Sequence, residues 1–308
     1  MKLFVPPIKC QGIKTKIVPW ILENAIVPEN GKWVEPFMGS GVVGFNARPQ
    51  NADFGDLNPH IINFYNAVRT SQITPKSVRG FLEREGGELR KKGEEYYYLV
   101  RERFNREKSP LDFLFLSRAD FNGIIRFNSR GDFNVPFCKK PERFSKGYIT
   151  KIVNQVQSVY ESVCSRNWVF RHQDFRTAIA NAGEDDFIYC DPPYYGRHTD
   201  YFNSWTEDDE YNLFVSLSTS RAKFALSTWY GSEFRQNPMV EKYWKEYYVL
   251  TKDYFYHVGA KESNRHPVVE ALVLNYEPAT LTVKRPTAEQ LILIREKRKT
   301  YYSTSLPR

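Results

Sequence analysis

Between residues 32 and 68 the chain runs strand, glycine turn, helix, strand, helix, and few folds accept that order. Lys32-Trp33-Val34-Glu35 is a short apolar run stopped by Pro36, because proline cannot donate to a central ladder. Gly39-Ser40-Gly41 then turns the chain into Val42-Val43-Gly44-Phe45-Asn46-Ala47, which starts a helix. Ala52-Asp53-Phe54-Gly55-Asp56 reads as a second strand, and a helical stretch covers residues 61–68. This is the βαβ unit of a parallel sheet, so the fold class is α/β with a Rossmann-like sheet. Ahead of it, Ile17, Val18, Ile21, Leu22 and Ala25 mark a helix over residues 15–26, closed by Pro28.

The pattern breaks near Thr70 and resumes near Trp168. The intervening section is rich in Lys, Arg, Glu, Asn and aromatic residues, and reads as a mostly helical insertion. It opens with a charged helix over residues 83–106, followed by an irregular stretch over residues 121–141. Strands are then expected at residues 168–170, 187–189, 224–227 and 269–274, with a further candidate at 247–250. Beyond Pro278, Thr287-Ala288-Glu289-Gln290 is a capping box that opens a helix ending in Arg295-Glu296-Lys297-Arg298-Lys299. Basic residues suit a helix C-terminus, so that tail carries no catalytic expectation.

Bulk properties exclude several classes. No run of 18 apolar residues exists to span a membrane, and Leu3-Phe4-Val5-Pro6-Pro7-Ile8 is too short and proline-rich for a signal peptide. Cys10, Cys138, Cys164 and Cys190 show no C-x-x-C spacing, which argues against both a zinc site and a disulfide framework. The expected compartment is a reducing cytoplasm, with neither metal nor membrane as partner. A formal net charge of +8 favours a polyanionic partner, although a generic basic surface accounts for it equally well.

The chemistry concentrates at strand ends. Asp191-Pro192-Pro193-Tyr194 leaves the run Phe187-Ile188-Tyr189-Cys190 as a stiff turn, because two prolines fix φ and remove two donors. It presents a carboxylate, a carbonyl and an aromatic ring to one point, which suits a planar ligand bearing an NH2 group. Glu35, Asp56 and Asp174 follow three other strands. The glycine turn at Gly39 and Gly41 allows close approach of a ligand to backbone, although a G-x-G taken alone is more often a plain tight turn. Asp56 suits ribose hydroxyls or else caps the helix at Asn58-Pro59-His60. Lys14 could neutralise a carboxylate, or be an ordinary surface lysine. Acidic groups here would repel a pyrophosphate yet suit ribose, an amino group and a sulfonium, and S-adenosylmethionine has all three.

Five motifs occur in order: Lys9-x-x-Gly12-x-Lys14, Glu35-Pro36-Phe37-x-Gly39-x-Gly41, Phe121-Asn122-Gly123-x-x-Arg126-Phe127-Asn128, Phe133-Asn134-Val135-Pro136-Phe137 and Asp191-Pro192-Pro193-Tyr194. In these the chain resembles the Dam-type (D12 class, group alpha) adenine-N6 DNA methyltransferases over about residues 5–276. Within that family it is most similar to the EcoRV-type modification enzymes, through Phe4-Val5-Pro6-Pro7-Ile8-Lys9, Gln11-Gly12-Ile13-Lys14-Thr15-Lys16 and Tyr201-Phe202-Asn203-Ser204-Trp205.

The resemblance implies methyl transfer from S-adenosylmethionine to adenine N6 in double-stranded DNA, with Asp191, Pro192 and Tyr194 catalytic. It places the cofactor against Cys10, Lys14, Glu35, Phe37, Gly39, Gly41, Asp56, Asp174, Phe175 and Asp191; many relatives carry Trp where Cys10 stands. DNA contacts are expected from Lys9, Asn122, Ile124, Arg126, Asn128, Pro136, Lys139 and Lys140. Arg126 would read a guanine or clamp a phosphate, while Lys139, Lys140, Arg143 and Lys146 would meet phosphates. Residues 1–69 and 164–278 would form the catalytic domain, 70–163 the target-recognition domain, and 279–308 a basic tail. GATATC is the expected target, with a restriction endonuclease sharing the site without direct contact. The competing readings are an adenine-N6 methyltransferase of RNA, a silent DNA-binding module, and cytosine-N4 transfer, for which Ser more often stands in place of Asp191.

Overall fold

The computed structural model describes residues 3–10, 12–196, 205–232, 235–255 and 267–278. The C-terminal helix expected beyond Pro278 and the segment Tyr201-Phe202-Asn203-Ser204 lie outside the described residues. Helix α1 (Val18–Asn24) is shorter than the expected span, and it packs ahead of β1 (Trp33–Glu35), all three of whose residues are buried. There follow α2 (Val42–Ala47), β2 (Asn51–Asp56) and α3 (Pro59–Arg69). Asn58 caps α3 by accepting from the His60 amide, with Pro59 at its first turn, where the missing N–H costs nothing.

Four helices come between α3 and the next strand: α4 (Pro75–Lys92), α5 (Glu94–Glu107), α6 (Pro110–Ala119) and α7 (Lys146–Ser165). The single charged helix expected over residues 83–106 is therefore two. Gly93 adopts φ 62°, ψ −134°, a conformation open to glycine that no α-helix contains, and it separates α4 from α5. The sheet resumes with β3 (Asn167–His172), α8 (Phe175–Ala180), β4 (Phe187–Cys190), α9 (Glu207–Thr219), β5 (Lys223–Ser232), β6 (Tyr248–Phe255) and β7 (Pro267–Leu274).

The seven strands lie in the order β3-β2-β1-β4-β5-β7-β6. The first five pair in parallel, and β7 runs antiparallel between β5 and β6. Strand order reverses between β1 and β4, and in an open α/β sheet such a switch point leaves a crevice beyond the carboxyl ends of the strands. Glu35 and Asp191 stand there. One apolar cluster runs from Trp33, Phe45 and Phe54 at the sheet through Phe64 and Tyr65 of α3 to Phe104, Phe113 and Phe133 in the inserted section. A second covers the other face, around Ile188, Leu213, Phe224 and Trp244. Among the described residues no helix is long and apolar enough to cross a membrane, and no cluster of His, Cys, Asp and Glu is placed to hold a metal ion.

Candidate active site

The site is assembled from the carboxyl ends of β1, β2 and β4 and the loop before α1. Glu35 is 2% exposed, and its Oε2 accepts from Trp33 Nε1 at 2.9 Å and from the Gly44 amide at 3.0 Å. Burial outweighs both bonds and pushes the carboxyl up to about 8. The glycine at 44 is obligatory, since a Cβ there would stand 2.4 Å from Glu35 Oε2 and 2.4 Å from the Phe54 ring. Asp56 accepts from the Gly39 amide through Oδ2 and from the Asn58 amide through Oδ1, each at 2.8 Å. It thus ties the glycine turn to the start of α3. Its pKa is raised by burial in spite of both amides.

Asp191 pairs with Lys14 Nζ at 3.0 Å, and the Lys14 side chain is only 5% exposed. The same ammonium lies 4.7 Å from the centre of the Tyr194 ring and donates to the Gly12 carbonyl. Lys14 is thus a built-in counter-ion and no surface lysine. Burial raises the Asp191 pKa, while Lys14 works against that rise.

A cleft is lined by Cys10, Gly12, Ile13, Lys14, Glu35, Phe37, Met38, Gly39, Ser40, Val42, Val43, Tyr189 and Asp191. A side chain at Gly39 (φ 49°) would meet nothing within 4 Å, so the turn offers bare backbone. Of the residues expected to meet a cofactor, Cys10, Lys14, Glu35, Phe37, Gly39 and Asp191 share this cleft. Gly41, Asp56, Asp174 and Phe175 do not line it. Gly41 caps α2 at φ 76°. Asp174 caps α8 and grips Arg176 with both oxygens, and that partner holds its carboxyl below the usual range. Phe175 stacks on Phe37 at 5.3 Å, with Trp205 edge-on to Phe37 at 5.7 Å.

Most of the stretch over residues 121–141, expected to be irregular, belongs to a loosely paired hairpin over residues 119–138. Cys138 donates to the Ala119 carbonyl, Phe121 to Pro136, Asn134 to Arg126 and Asn128 to Asp132. Gly123, Ile125, Phe127, Phe133, Val135 and Phe137 are buried, whereas Ile124, Arg126, Asn128, Asn134 and Pro136 alternate with them on the outer face. That face collects four of the eight residues expected to meet DNA, Ile124, Arg126, Asn128 and Pro136, with exposed Asn122 at its edge. Arg126 Nε donates to Asn134 Oδ1 at 2.9 Å. Asn128 is spent on the hairpin tip, where its Oδ1 accepts from the amides of Arg130 and Asp132. Lys9 packs against Gly123 so closely that a Cβ there would stand 2.8 Å from Lys9 Cδ. Lys139, at φ 57°, and Lys140 are exposed just past the hairpin.

Sequence reading missed the groups that hold the turn after β4. The Tyr194 hydroxyl donates to Oε2 of Glu270, which is 1% exposed on β7. Trp229 Nε1 donates to the Tyr195 carbonyl at 3.2 Å, and Arg235 Nη2 to the Gly196 carbonyl at 2.8 Å. The available signal was a lone carboxylate within Val268-Val269-Glu270-Ala271-Leu272-Val273-Leu274, since such a group is almost never buried without a partner.

A sheet of this order, with an acidic cleft at its switch point and a rigid Asp-Pro-Pro-Tyr turn, defines a Rossmann-like methyltransferase. Comparison with known proteins narrows the class. Residues 11–262 match the family described as D12 class N6 adenine-specific DNA methyltransferase, and the chain belongs to that family. It is 28% identical over 291 residues to the type II methyltransferase M1.LlaDCHI of Lactococcus lactis subsp. cremoris, covering 88% of this chain and 95% of that one. It is 32% identical over 201 residues to the DNA adenine methylase of Haemophilus influenzae, covering 61% and 63%. To the type II methyltransferase M.FokI of Planomicrobium okeanokoites it is 27% identical over 289 residues, covering 88% of this chain and 42% of that longer protein.

Proposed function

We propose that this adenine-specific DNA methyltransferase works on an adenine flipped out of the duplex, held by Asp191, Pro192 and Tyr194. The observation that carries the reading is the ion pair of buried Lys14 with partly exposed Asp191 at the switch point, beside the Tyr194 ring. A base within a duplex cannot present N6 to a cleft, so it must leave the stack at a cost of a few kcal/mol. Stacking on Tyr194 returns roughly 1–3 kcal/mol of that. The Asp191 carboxylate and the Pro192 carbonyl accept the two N6 hydrogens, which turns the nitrogen lone pair out of ring conjugation and aims it into the cleft. Burial raises the proton affinity of Asp191 and so strengthens it as an acceptor.

The cleft fits S-adenosylmethionine. Its walls carry Asp191, which suits a sulfonium or an amino group and repels phosphates, the hydrogen-bonding carboxyl of Glu35, and bare backbone at Gly39. Asp56 retains acceptor capacity beyond its two amides for ribose hydroxyls. Cys10, Lys14, Phe37, Gly41, Asp174 and Phe175 complete the proposed set. When bound, the cofactor supplies an electrophilic methyl carbon.

The insertion over residues 70–163 serves as the recognition domain on the catalytic frame of residues 1–69 and 164–278. Its hairpin enters a groove with Asn122, Ile124, Arg126, Asn128 and Pro136, beside Lys9. Arg126 reads a guanine, and Lys139 and Lys140 meet phosphates. The finer assignment to the EcoRV-type branch, with GATATC as target and an accompanying endonuclease, rests on residues 4–9, 11–16 and 201–205. Transfer of tritiated methyl groups to unmethylated plasmid DNA, and not to RNA, tests the reading. Asp191→Ala is expected to cut turnover roughly 10²–10³-fold, the scale for one transition-state contact. Unchanged turnover would sink the mechanism.

A further inference from the structure

The turn that carries Asp191, Pro192 and Tyr194 is pinned from beneath as well as from the cleft. From the cleft side, Lys14 holds Asp191 and lies against the Tyr194 ring. From the sheet side, Glu270 accepts the Tyr194 hydroxyl and Trp229 donates to the Tyr195 carbonyl. These two come from neighbouring strands and stand opposite each other in the ladder, Trp229 on β5 and Glu270 on β7. Lys252 of β6 is the Cα partner of Glu270 on its other side. Glu270 is 1% exposed in a strand whose following four residues are all fully buried and apolar.

A carboxylate at such a position is tolerated only when it is paired, whereas a Leu or Val would pack there without a partner. The reaction has a use for the carboxylate, if the Tyr194 ring must hold one position while a base is absent. An aromatic ring on a loop is free to turn about χ1 and χ2 when only its face is in contact. Tethering the hydroxyl, at the far end of the ring, fixes the direction of the ring axis, which χ1 sets, and the Lys14 ammonium against the ring face then biases χ2.

We propose that Glu270 is a positioning residue for methyl transfer, fixing the Tyr194 ring through its hydroxyl so that the stacking surface stands ready before the base arrives. The inference rests on the reading that Tyr194 stacks on a flipped adenine. Burial chiefly raises the proton affinity of Asp191 and Lys14 opposes it; the negative charge of Glu270 adds to the rise, in keeping with its place close behind the turn. Glu270 acts without touching the substrate. The antiparallel strand β7 acquires a reason to carry a charge in the middle of its run.

Steady-state methylation of unmethylated plasmid DNA tests this in four proteins: wild type, Tyr194→Phe, Glu270→Ala and the double variant. Cofactor affinity by calorimetry and thermal unfolding are measured alongside. Tyr194→Phe keeps the ring and removes only the tether, so it carries the test even if Glu270→Ala fails to fold. The expected result is a fall in kcat of about tenfold or more in each single variant, with cofactor Kd unchanged. The double variant should be no worse than the poorer single, as residues that act through one bond are not additive. Glu270→Gln, which keeps an acceptor, should recover much of the loss. An active wild type with kcat untouched in Tyr194→Phe, or with additive losses in the double variant, overturns this inference alone. A wild-type chain that cannot methylate DNA overturns the underlying reading, and this inference with it.

Discussion

Two buried carboxyls, one in the cleft and one at the root of the hairpin over residues 119–138, are both pushed up to about 8, by the same cause and in opposite settings. Glu35, at the end of β1, accepts two well-formed hydrogen bonds, from Trp33 Nε1 and the Gly44 amide. Asp120, just after α6, is 2% exposed, and neither oxygen has a hydrogen-bond partner of good geometry, though the Gly123 amide faces it. Lys9, Arg118 and Arg143 supply opposing charge at Asp120 without closing a bond. In the cleft the carboxyl is met by donors in fixed places, one of them backbone. At the root of the hairpin the carboxyl meets charge without bonds, although the hairpin itself is closed by backbone hydrogen bonds. On the proposed function, a site that must orient one nitrogen lone pair needs the first kind of construction, and a surface that must follow a groove tolerates the second.

The largest difference between the two regions should come from putting the same methyl group into each. Gly44→Ala drives a Cβ to 2.4 Å from both Glu35 and Phe54, so it should cost about 1–3 kcal/mol or more and lower the melting temperature. Gly80→Ala, exposed in α4 with nothing within 4 Å, should stabilise by roughly 0.5–1 kcal/mol. Chemical denaturation of both variants checks the pair, and a Gly44→Ala chain as stable as wild type would break the comparison.

Within the proposed recognition region, Arg126→Ala should remove about 1–3 kcal/mol of discrimination at one base pair. Lys139→Ala should weaken binding to every sequence alike and reduce the salt slope by about 1. Competition binding against single-base variants of the methylated site distinguishes them. Identical behaviour of the two would mean that Arg126 is another phosphate contact.

The smallest effects concern pH. A carboxyl with a higher pKa folded than unfolded holds its proton more tightly in the native state. The stability it contributes is whole below its unfolded pKa, 4.5 for Glu35 and 3.8 for Asp120, and is lost as pH rises toward 8. Wild-type melting temperature should therefore fall between pH 5 and pH 9. Glu35→Gln and Asp120→Asn should each flatten that fall by a few degrees, on the scale of about 2–4 °C per kcal/mol. Only Glu35→Gln should also weaken cofactor binding. Melting curves that keep the full wild-type slope in both variants would show that burial does not govern these two groups.

Much of the parallel half was legible because its signals are local. Pro36 and the glycine turn mark the end of β1 and the start of α2, and Asp191-Pro192-Pro193-Tyr194 announces itself at the end of β4. The inserted section was harder to read. Charge alone does not reveal that Gly93 breaks one helical pattern into α4 and α5. The alternation of Gly123, Ile125 and Phe127 with Phe133, Val135 and Phe137 was in view, but a tip full of Asn, Ser, Arg and Gly concealed the pairing.

By itself the sequence determined what a few consecutive residues can settle: where strands end, where backbone is bare, and that a carboxylate, a carbonyl and a ring leave β4 together. Periodicity and stiffness act over a handful of residues, so a linear reading recovers them. Only the tertiary structure decided that β7 slips antiparallel between β5 and β6, and that Glu270 meets a tyrosine 76 residues away. It also decided that Lys9 lies on Gly123 and Lys14 on Asp191. Such partners are chosen by the exclusion of water from buried charge, which acts between whatever groups the fold brings together and leaves no mark on their spacing in the chain.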